Sequence, residues 1–371
     1  MVKKFVIIAG EPNSFINFRG ELIKALIAKG FELHLIAPSL TQLISVNTKL
    51  KALGANLHNV PMSKAGTSLF KDIQTLYYLF VVLRKIKPDY VLSYTIKPVI
   101  YGLIAARLGG VKKRIALVTG LGYAFISANN LLHQLVINLY KLALVKSHIV
   151  FFQNPDDQAL FLNLGITQNL KTVLVNGSGV DVTYFAQSPP PNGGLNFLMV
   201  ARLLGDKGVR EYVTAAKSIK LLYPNVFFNL AGWIDENPNA IKQLELDEWI
   251  SSGTIKYLGK LTDVRPAIMN CNVFVLPSYR EGTPRTTLEA MSIGRAIITT
   301  NAPGCRETVI NGLNGFLVEV KSSESLIEAM MQFVSNPALC EIMGNESHTI
   351  ALEKYDVHKV NQQMFQAMGI T

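Results

Sequence analysis

The sequence predicts an α/β protein of two domains, each a parallel sheet covered on both faces by helices. Three observations carry this prediction. Short apolar runs alternate with helix-period segments along nearly all of the 371 residues, the pattern of repeated βαβ units. The runs are continuously apolar, as strands buried on both faces require. Near the middle, Gln187 to Gly194 (QSPPPNGG) interrupts the pattern with three prolines and two glycines, the composition of a linker.

The first half opens with an apolar strand, Phe5–Ala9, then an amphipathic helix, Arg19–Lys29, stopped by Gly30. Glu32–Ala37 reads as a strand ended by Pro38, Thr41–Leu53 as a helix stopped by Gly54, and Asn56–Val60 as a weaker strand. A long helix, Leu69–Ile86, ends ahead of Pro88, since the residue before proline avoids helical backbone. Then come a strand at Tyr90–Tyr94, a helix near Val99–Leu108, a strand at Arg114–Val118, a helix near Leu132–Lys146, and strands at His148–Gln153 and Thr172–Val175. Beyond the linker, strands are expected at Leu195–Val200, Val226–Ala231, Thr254–Leu258, Val273–Leu276, Ala296–Thr300 and Gly315–Val318, and a last helix at Asp356–Met368. The expected domains are 1–186 and 195–355.

Composition narrows the class. At 49% hydrophobic the chain has ample apolar surface for two cores and is not disordered. Cys271, Cys305 and Cys340 lack metal-like spacing, which suits a reducing compartment. The apolar run near the start, Phe5–Ala9, is too short for a signal peptide, and Leu76–Leu83 stops at Arg84, well short of a membrane span. The net charge of +10 is uneven: residues 1–185 hold 20 Lys+Arg against 8 Asp+Glu, so +12, and the remainder is −2. A basic half fits a phosphorylated substrate or an anionic bilayer. Nucleic acid is the weaker partner, because no nucleic-acid-binding signature is present.

The densest chemistry lies in Tyr279–Met291, YREGTPRTTLEAM, directly after the Val273–Leu276 strand. Glu281 falls in the strand-to-helix loop and Glu289 inside the helix. Gly282, Thr283, Pro284 and Arg285 form the turn whose backbone amides meet the helix N-terminus, where a phosphate would be stabilised. A carboxylate farther along, Glu289, can accept from ribose hydroxyls. Taken alone, two acids in a βα segment read equally as ordinary solvated side chains. A second loop changes the balance. Arg202 and Lys207 follow the Leu195–Val200 strand, and an Arg fork with a Lys point charge suits a diphosphate.

This combination resembles glycosyltransferase family 4, retaining enzymes of the GT-B fold. The family's Glu-x7-Glu and Arg…Lys donor-site signatures match Glu281/Glu289 and Arg202/Lys207. The resemblance covers nearly the whole chain and implies two Rossmann-like domains with parallel sheets facing a central cleft. It also implies that helix 356–371 returns to pack on the first domain. Many members carry a histidine after the strand matching Arg114–Val118. Here that loop is Thr119–Phe125, TGLGYAF, without histidine. Glycines alone make it a tight turn. On the cleft side, Gly120 and Gly122 would let backbone approach the donor, with Thr119 and Lys97 toward an acceptor. Lys97 reads almost as well as a solvated side chain. Glu307, in Ala302–Gly315, corresponds to a segment lining the donor site in the family.

The resemblance extends to bacterial polyprenyl-diphosphate-glycan N-acetylgalactosaminyltransferases. It implies transfer of an N-acetylhexosamine from a UDP-sugar to a lipid-linked glycan at the cytoplasmic face of the inner membrane. Arg202 and Lys207 would stabilise the leaving UDP, and Glu281 would orient the sugar rather than attack it. The sequence holds no Asp-x-Asp motif of the kind that carries a metal-bound diphosphate, so no metal or other cofactor is expected. Lys112, Lys113 and Arg114 follow Gly109-Gly110 in an apparent exposed turn and are the expected anionic-membrane patch. The apolar faces of Leu69–Lys87 and Leu131–Lys146 are expected mostly to pack as core. Two rivals stay open: a UDP-sugar 2-epimerase of the same fold, and a nucleotide-sugar-binding scaffold without turnover.

Overall fold

The computed structural model describes residues 2–63, 68–121, 130–235, 237 and 239–371. The chain forms two compact units, Met1–Ser178 with Val360–Thr371, and Gly179–Lys359. The first holds seven strands: β1 (Lys4–Ile8), β2 (Glu32–Ala37), β3 (Asn56–Asn59), β4 (Tyr90–Tyr94), β5 (Lys113–Val118), β6 (Ile149–Phe152) and β7 (Thr172–Leu174). Their order is β3-β2-β1-β4-β5-β6-β7, and every pairing is parallel. The second holds β8 (Asn196–Val200), β9 (Phe227–Ala231), β10 (Lys256–Tyr257), β11 (Val273–Leu276), β12 (Ala296–Thr300) and β13 (Gly315–Val318). These are ordered β10-β9-β8-β11-β12-β13, again all parallel.

Strand alternation divides the first unit's core into two layers. Phe5 and Ile7 face one way, with Leu33, Leu35 and Leu92. Val6 and Ile8 face the other, under Leu79 and Leu83 of the Leu69–Ile86 helix, Leu103, and Ile137 and Tyr140 of the Asn130–Leu144 helix. The C-terminal helix, Val357–Met368, adds Met364, Phe365 and Met368 to the Phe5 layer. Each such side chain contributes about 2 kcal/mol on burial, enough to hold a returning helix.

The division between units falls after Ser178, ahead of the proline-rich stretch. Val180 and Phe185 belong to the second unit's core, and Gln187–Gly194 is bound to it. Arg295, fully buried, donates from Nε to Ile268 O (3.1 Å) and from Nη2 to Ser188 O (3.0 Å) and Pro189 O (3.1 Å). Asn272 Nδ2 donates to Pro191 O at 3.2 Å. The prolines therefore mark a strap on the second unit, not the division between the units.

Two expectations are corrected here. Arg114 lies inside β5, buried, with its guanidinium donating to the carbonyls of Val111 (2.6 Å), Val145 (3.2 Å) and Lys146 (2.7 Å). It ties the ends of neighbouring segments together and is no part of an exposed patch. The Leu69–Ile86 helix buries Asp72, Thr75, Leu79, Leu83 and Ile86, while Phe70, Ile73 and Tyr77 are exposed. The inner stripe is set by two polar residues the hydrophobic period skipped. Asp72 accepts from Lys97, and Thr75 donates to Pro61 O.

Candidate active site

In an open parallel sheet, ligands bind beyond the carboxyl ends of strands where the strand order reverses. In the second unit that switch lies between β8 and β11. The loops leaving these two strands carry Arg202 and Lys207, and Glu281 with the Arg285–Ile293 helix.

Backbone contacts fasten three loops together. Tyr279 N donates to Asp206 O at 2.9 Å, joining the β11 loop to the β8 loop. Glu281 N donates to Pro303 O at 2.9 Å, joining it to the β12 loop. Both junctions need glycine. Gly208 has φ +73°, and a Cβ there would lie 2.2 Å from Pro277 O. Gly304 has φ +81°, and a Cβ would lie 2.2 Å from Glu281 O. Below the loops, Thr299 Oγ1 donates to Leu276 O at 2.7 Å and Thr300 Oγ1 to Ser278 O, so the strand ends are tied side chain to backbone.

On this frame Lys207 Nζ meets Glu281 Oε1 at 2.5 Å, with the side chains 15% and 18% exposed. Such a half-sheltered pair is screened far less than a surface one. Arg202 Nη1 meets Asp235 Oδ2 at 2.9 Å, but Arg202 is 46% exposed, so this pair is worth at most about 1 kcal/mol and its guanidinium is easily redirected. Glu289 is buried and accepts from Arg285 Nε at 2.7 Å. Burial pushes its carboxyl up from the usual range, and the Arg285 guanidinium pulls it partly back. Pro284 leads into the Arg285–Ile293 helix, whose N-terminus has no side-chain cap among the described residues. The result is a basic pair, a helix N-terminus and two carboxylates around one switch point, a combination suited to an anionic diphosphate joined to a polyol.

The structure thus brings Arg202, Lys207, Glu281, Gly282, Thr283 and Pro284 onto adjoining loops of one sheet, with Arg285 and Glu289 in the helix that follows. Glu307 lies in the short turn Arg306–Thr308 of the β12 loop, where its carbonyl accepts from Lys354 and Tyr355. Lys97, Thr119 and Gly120 belong to the first unit, after β4 and β5. Lys97 Nζ is bound to Asp72 Oδ1 at 2.8 Å, and Gly120 has φ +121°. Gly122 lies outside the described residues. The three cysteines are buried, and burial pushes Cys271 and Cys305 up to about 12 and Cys340 up to about 11, so none is a nucleophile.

Sequence reasoning missed four supporting residues: Asp235, Gly208, Tyr279 and Glu211. Tyr279 OH donates to Glu211 Oε1 at 2.6 Å, a side-chain bond between the β11 loop and the Val209–Leu222 helix, which starts just after Lys207. Loss of a hydrogen bond to a carboxylate costs about 1.5–3 kcal/mol. Tyr279→Phe is therefore expected to lower thermal stability and to cut turnover about tenfold, with Glu211→Gln much milder because it still accepts. Thermal melts and steady-state kinetics on the two variants check this.

Solved structures with the same fold include sucrose-phosphate synthase from Thermosynechococcus elongatus (17% identity, 98% of both chains, TM-score 0.81). Anabaena HepE in complex with UDP is another (18% identity, 100% of both chains, TM-score 0.77). The fold is GT-B, and two family models give the class, a glycosyltransferase. The glycosyl transferase 4-like domain matches residues 12–154, and the glycosyl transferases group 1 domain matches 182–349. One relative is the N,N'-diacetylbacillosaminyl-diphospho-undecaprenol alpha-1,3-N-acetylgalactosaminyltransferase of Campylobacter jejuni, 30% identical over 366 residues, 94% of each chain. Another is the UDP-Gal:alpha-D-GlcNAc-diphosphoundecaprenol alpha-1,3-galactosyltransferase of Escherichia coli, 30% identical over 81% of this chain and 80% of that one. The chain belongs to glycosyltransferase family 4.

Proposed function

We propose that this glycosyltransferase moves an N-acetylhexosamine from a UDP-sugar to a polyprenyl-diphosphate-linked glycan, with retention of configuration. The observation that carries the donor half is the Lys207–Glu281 pair beside Arg202 at the β8/β11 switch point. The acceptor half is supported by relatives whose names specify diphosphoundecaprenol-linked sugars. Arg202 and Lys207 take the diphosphate, exchanging Asp235 and Glu281 for phosphate oxygens as charge develops on the departing UDP. Backbone amides of Gly282, Thr283 and Arg285 add donors, Glu289 accepts from the ribose, and the released Glu281 accepts from hydroxyls of the transferred sugar. The acceptor oxygen enters on the face that UDP leaves, so no side chain acts as nucleophile. Thr119 and Lys97 of the first unit serve the acceptor, Lys97 giving up Asp72 for a phosphate.

Positive side chains and a helix N-terminus supply the charge a metal would otherwise supply. Turnover is therefore expected to persist in excess EDTA. Complete loss restored by magnesium or manganese would contradict this.

Among the described residues no helix is long and apolar enough to cross a membrane. The enzyme works at the cytoplasmic face of the membrane, in peripheral contact with anionic lipid. Lys112 is exposed, and Lys113 is half-buried with Nζ donating to Tyr90 OH at 2.7 Å. Of the basic run after Gly110, this leaves Lys112 as the fully available charge.

The test is incubation with labelled UDP-sugars, with and without a polyprenyl-diphosphate sugar. Label entering the lipid with matching release of UDP is expected only when acceptor is present. A C2-epimerised product without acceptor, or UDP-sugar binding without turnover, would overturn the reading.

A further inference from the structure

The first unit carries one helical layer whose outer surface is apolar and basic at once. The Leu69–Ile86 helix, the Leu103–Leu108 helix and the Asn130–Leu144 helix all pack on the same sheet face, the Val6 and Ile8 side. On the outer side of the first, Phe70 is 80% exposed, Tyr77 63% and Ile73 57%. Their spacing of three and four residues makes one stripe along the helix. On the third, Leu131 and Leu135 are exposed in the same way. Isolated exposed apolar residues are ordinary, but a stripe of large ones along one helix marks a contact surface.

Charge says what that surface contacts. The three helices contain a single acid, Asp72, and it is buried against Lys97. Lys71, Arg84, Lys85 and Lys141 are all exposed on them. An apolar and aromatic stripe flanked by cations, with no exposed carboxylate, matches the interface of an anionic bilayer. A partner protein with an apolar patch would gain from the stripe but not from Lys71, Arg84 and Lys85 on the same helix.

We propose that the outer face of the Leu69–Ile86 helix inserts into the acyl–headgroup boundary of an anionic membrane, with Phe70, Ile73 and Tyr77 as the inserting side chains. This rests on the lipid-linked acceptor reading and specifies how the enzyme meets that lipid. It differs from docking by surface charge alone, because part of the binding then survives high salt. The helix has a second consequence. The helix that turns Phe70 and Tyr77 outward turns Asp72 inward onto Lys97 at 2.8 Å. Lys97 therefore sits about one helix diameter, roughly 10 Å, from the inserted face. That is within reach of a diphosphate at the bilayer surface.

The experiment is flotation of the full chain with phosphatidylcholine vesicles, with and without phosphatidylglycerol, over a salt series. The wild type is compared with the triple variant Phe70→Ser, Ile73→Ser, Tyr77→Ser. All three positions are more than half exposed, and circular dichroism checks that the fold is kept. At least a tenfold drop in bound protein is expected for the triple variant. Its turnover on a short-chain, water-soluble acceptor should be unchanged. In a second variant, Phe70→Trp, fluorescence added above the wild-type background should shift to the blue with anionic vesicles and be quenched by brominated lipid. Undiminished binding of the triple variant, or no shift from Phe70→Trp, would overturn the insertion. So would a dimer in sedimentation velocity that the triple variant dissolves while vesicle binding stays intact. Vesicle binding that depends on these three residues, together with no transfer to any lipid acceptor, would leave the docking face standing and remove the acceptor reading instead.

Discussion

Lys207→Ala is expected to lower kcat by at least about a hundredfold, the scale of removing one electrostatic donor from a transition state. The loss should fall on kcat more than on KM, because the charge that Lys207 meets grows as the UDP bond breaks. Its partner complicates the measurement. Lys207 Nζ holds Glu281 Oε1 at 2.5 Å in a site only 15–18% exposed. Removing the lysine leaves a sheltered carboxylate without its cation, so stability falls as well, by about 1–3 kcal/mol. The double variant Lys207→Ala, Glu281→Gln separates the two effects: it regains the stability and not the turnover. Arg202→Ala should show a similar loss of turnover with little loss of stability, since its pairing with Asp235 is exposed. Near-normal turnover in both single variants would contradict the assignment of the diphosphate to this basic pair.

Gly208→Ala is expected to damage the same site without touching its charges. At φ +73° any side chain is strained, and here a Cβ would meet Pro277 O at 2.2 Å, a backbone atom that cannot rotate away. Strain of this kind costs about 1–3 kcal/mol before the clash is counted. The β8 and β11 loops must part to relieve it, which moves Lys207 away from Glu281. Gly304→Ala should do the same from the other side, because its Cβ would meet Glu281 O at 2.2 Å. Both variants should therefore lose stability and nearly all turnover together. By contrast, Gly253→Ala has φ +68° but open space around its Cβ, and should cost stability alone. Unfolding curves and turnover measured on all three would show the contrast.

Much of the fold was legible because buried parallel strands are short, continuous and apolar. Val273–Leu276, Ala296–Thr300, Gly315–Val318 and Tyr90–Tyr94 stand where the residue pattern placed them. The Pro155–Asn163 helix was missed although its signal is present. Asn154 caps it by accepting from Asp157 N at 2.7 Å, and Pro155 opens it. Arg114 misled because a basic run after two glycines looks like a turn, and nothing local reveals the three carbonyls that receive the guanidinium. The inner face of Leu69–Ile86 misled for a similar reason. Apolar spacing identifies a stripe, but Asp72 and Thr75 face inward because Lys97 and Pro61 are there to bind them.

The candidate site divides in the same way. The Glu281/Glu289 spacing and the Arg202/Lys207 spacing are visible in one dimension. Asp235 is 33 residues from Arg202 and Pro303 is 22 from Glu281. Their roles come from the strand order, which places the β9 and β12 loops beside β8 and β11. Gly208 and Gly304 carry no signal of their own in the sequence. Their need to be glycine arises from carbonyls of another loop.

The most direct measurement is hydrogen–deuterium exchange of the full chain with and without UDP. Exchange is expected to slow in residues 201–210 and 279–293, the loops and helix that carry Arg202, Lys207, Glu281 and Glu289, and that protection should be lost in Lys207→Ala. Protection confined to the first unit, around residues 93–121, with none in those two loops, would contradict the claim that the β8/β11 switch point holds the donor.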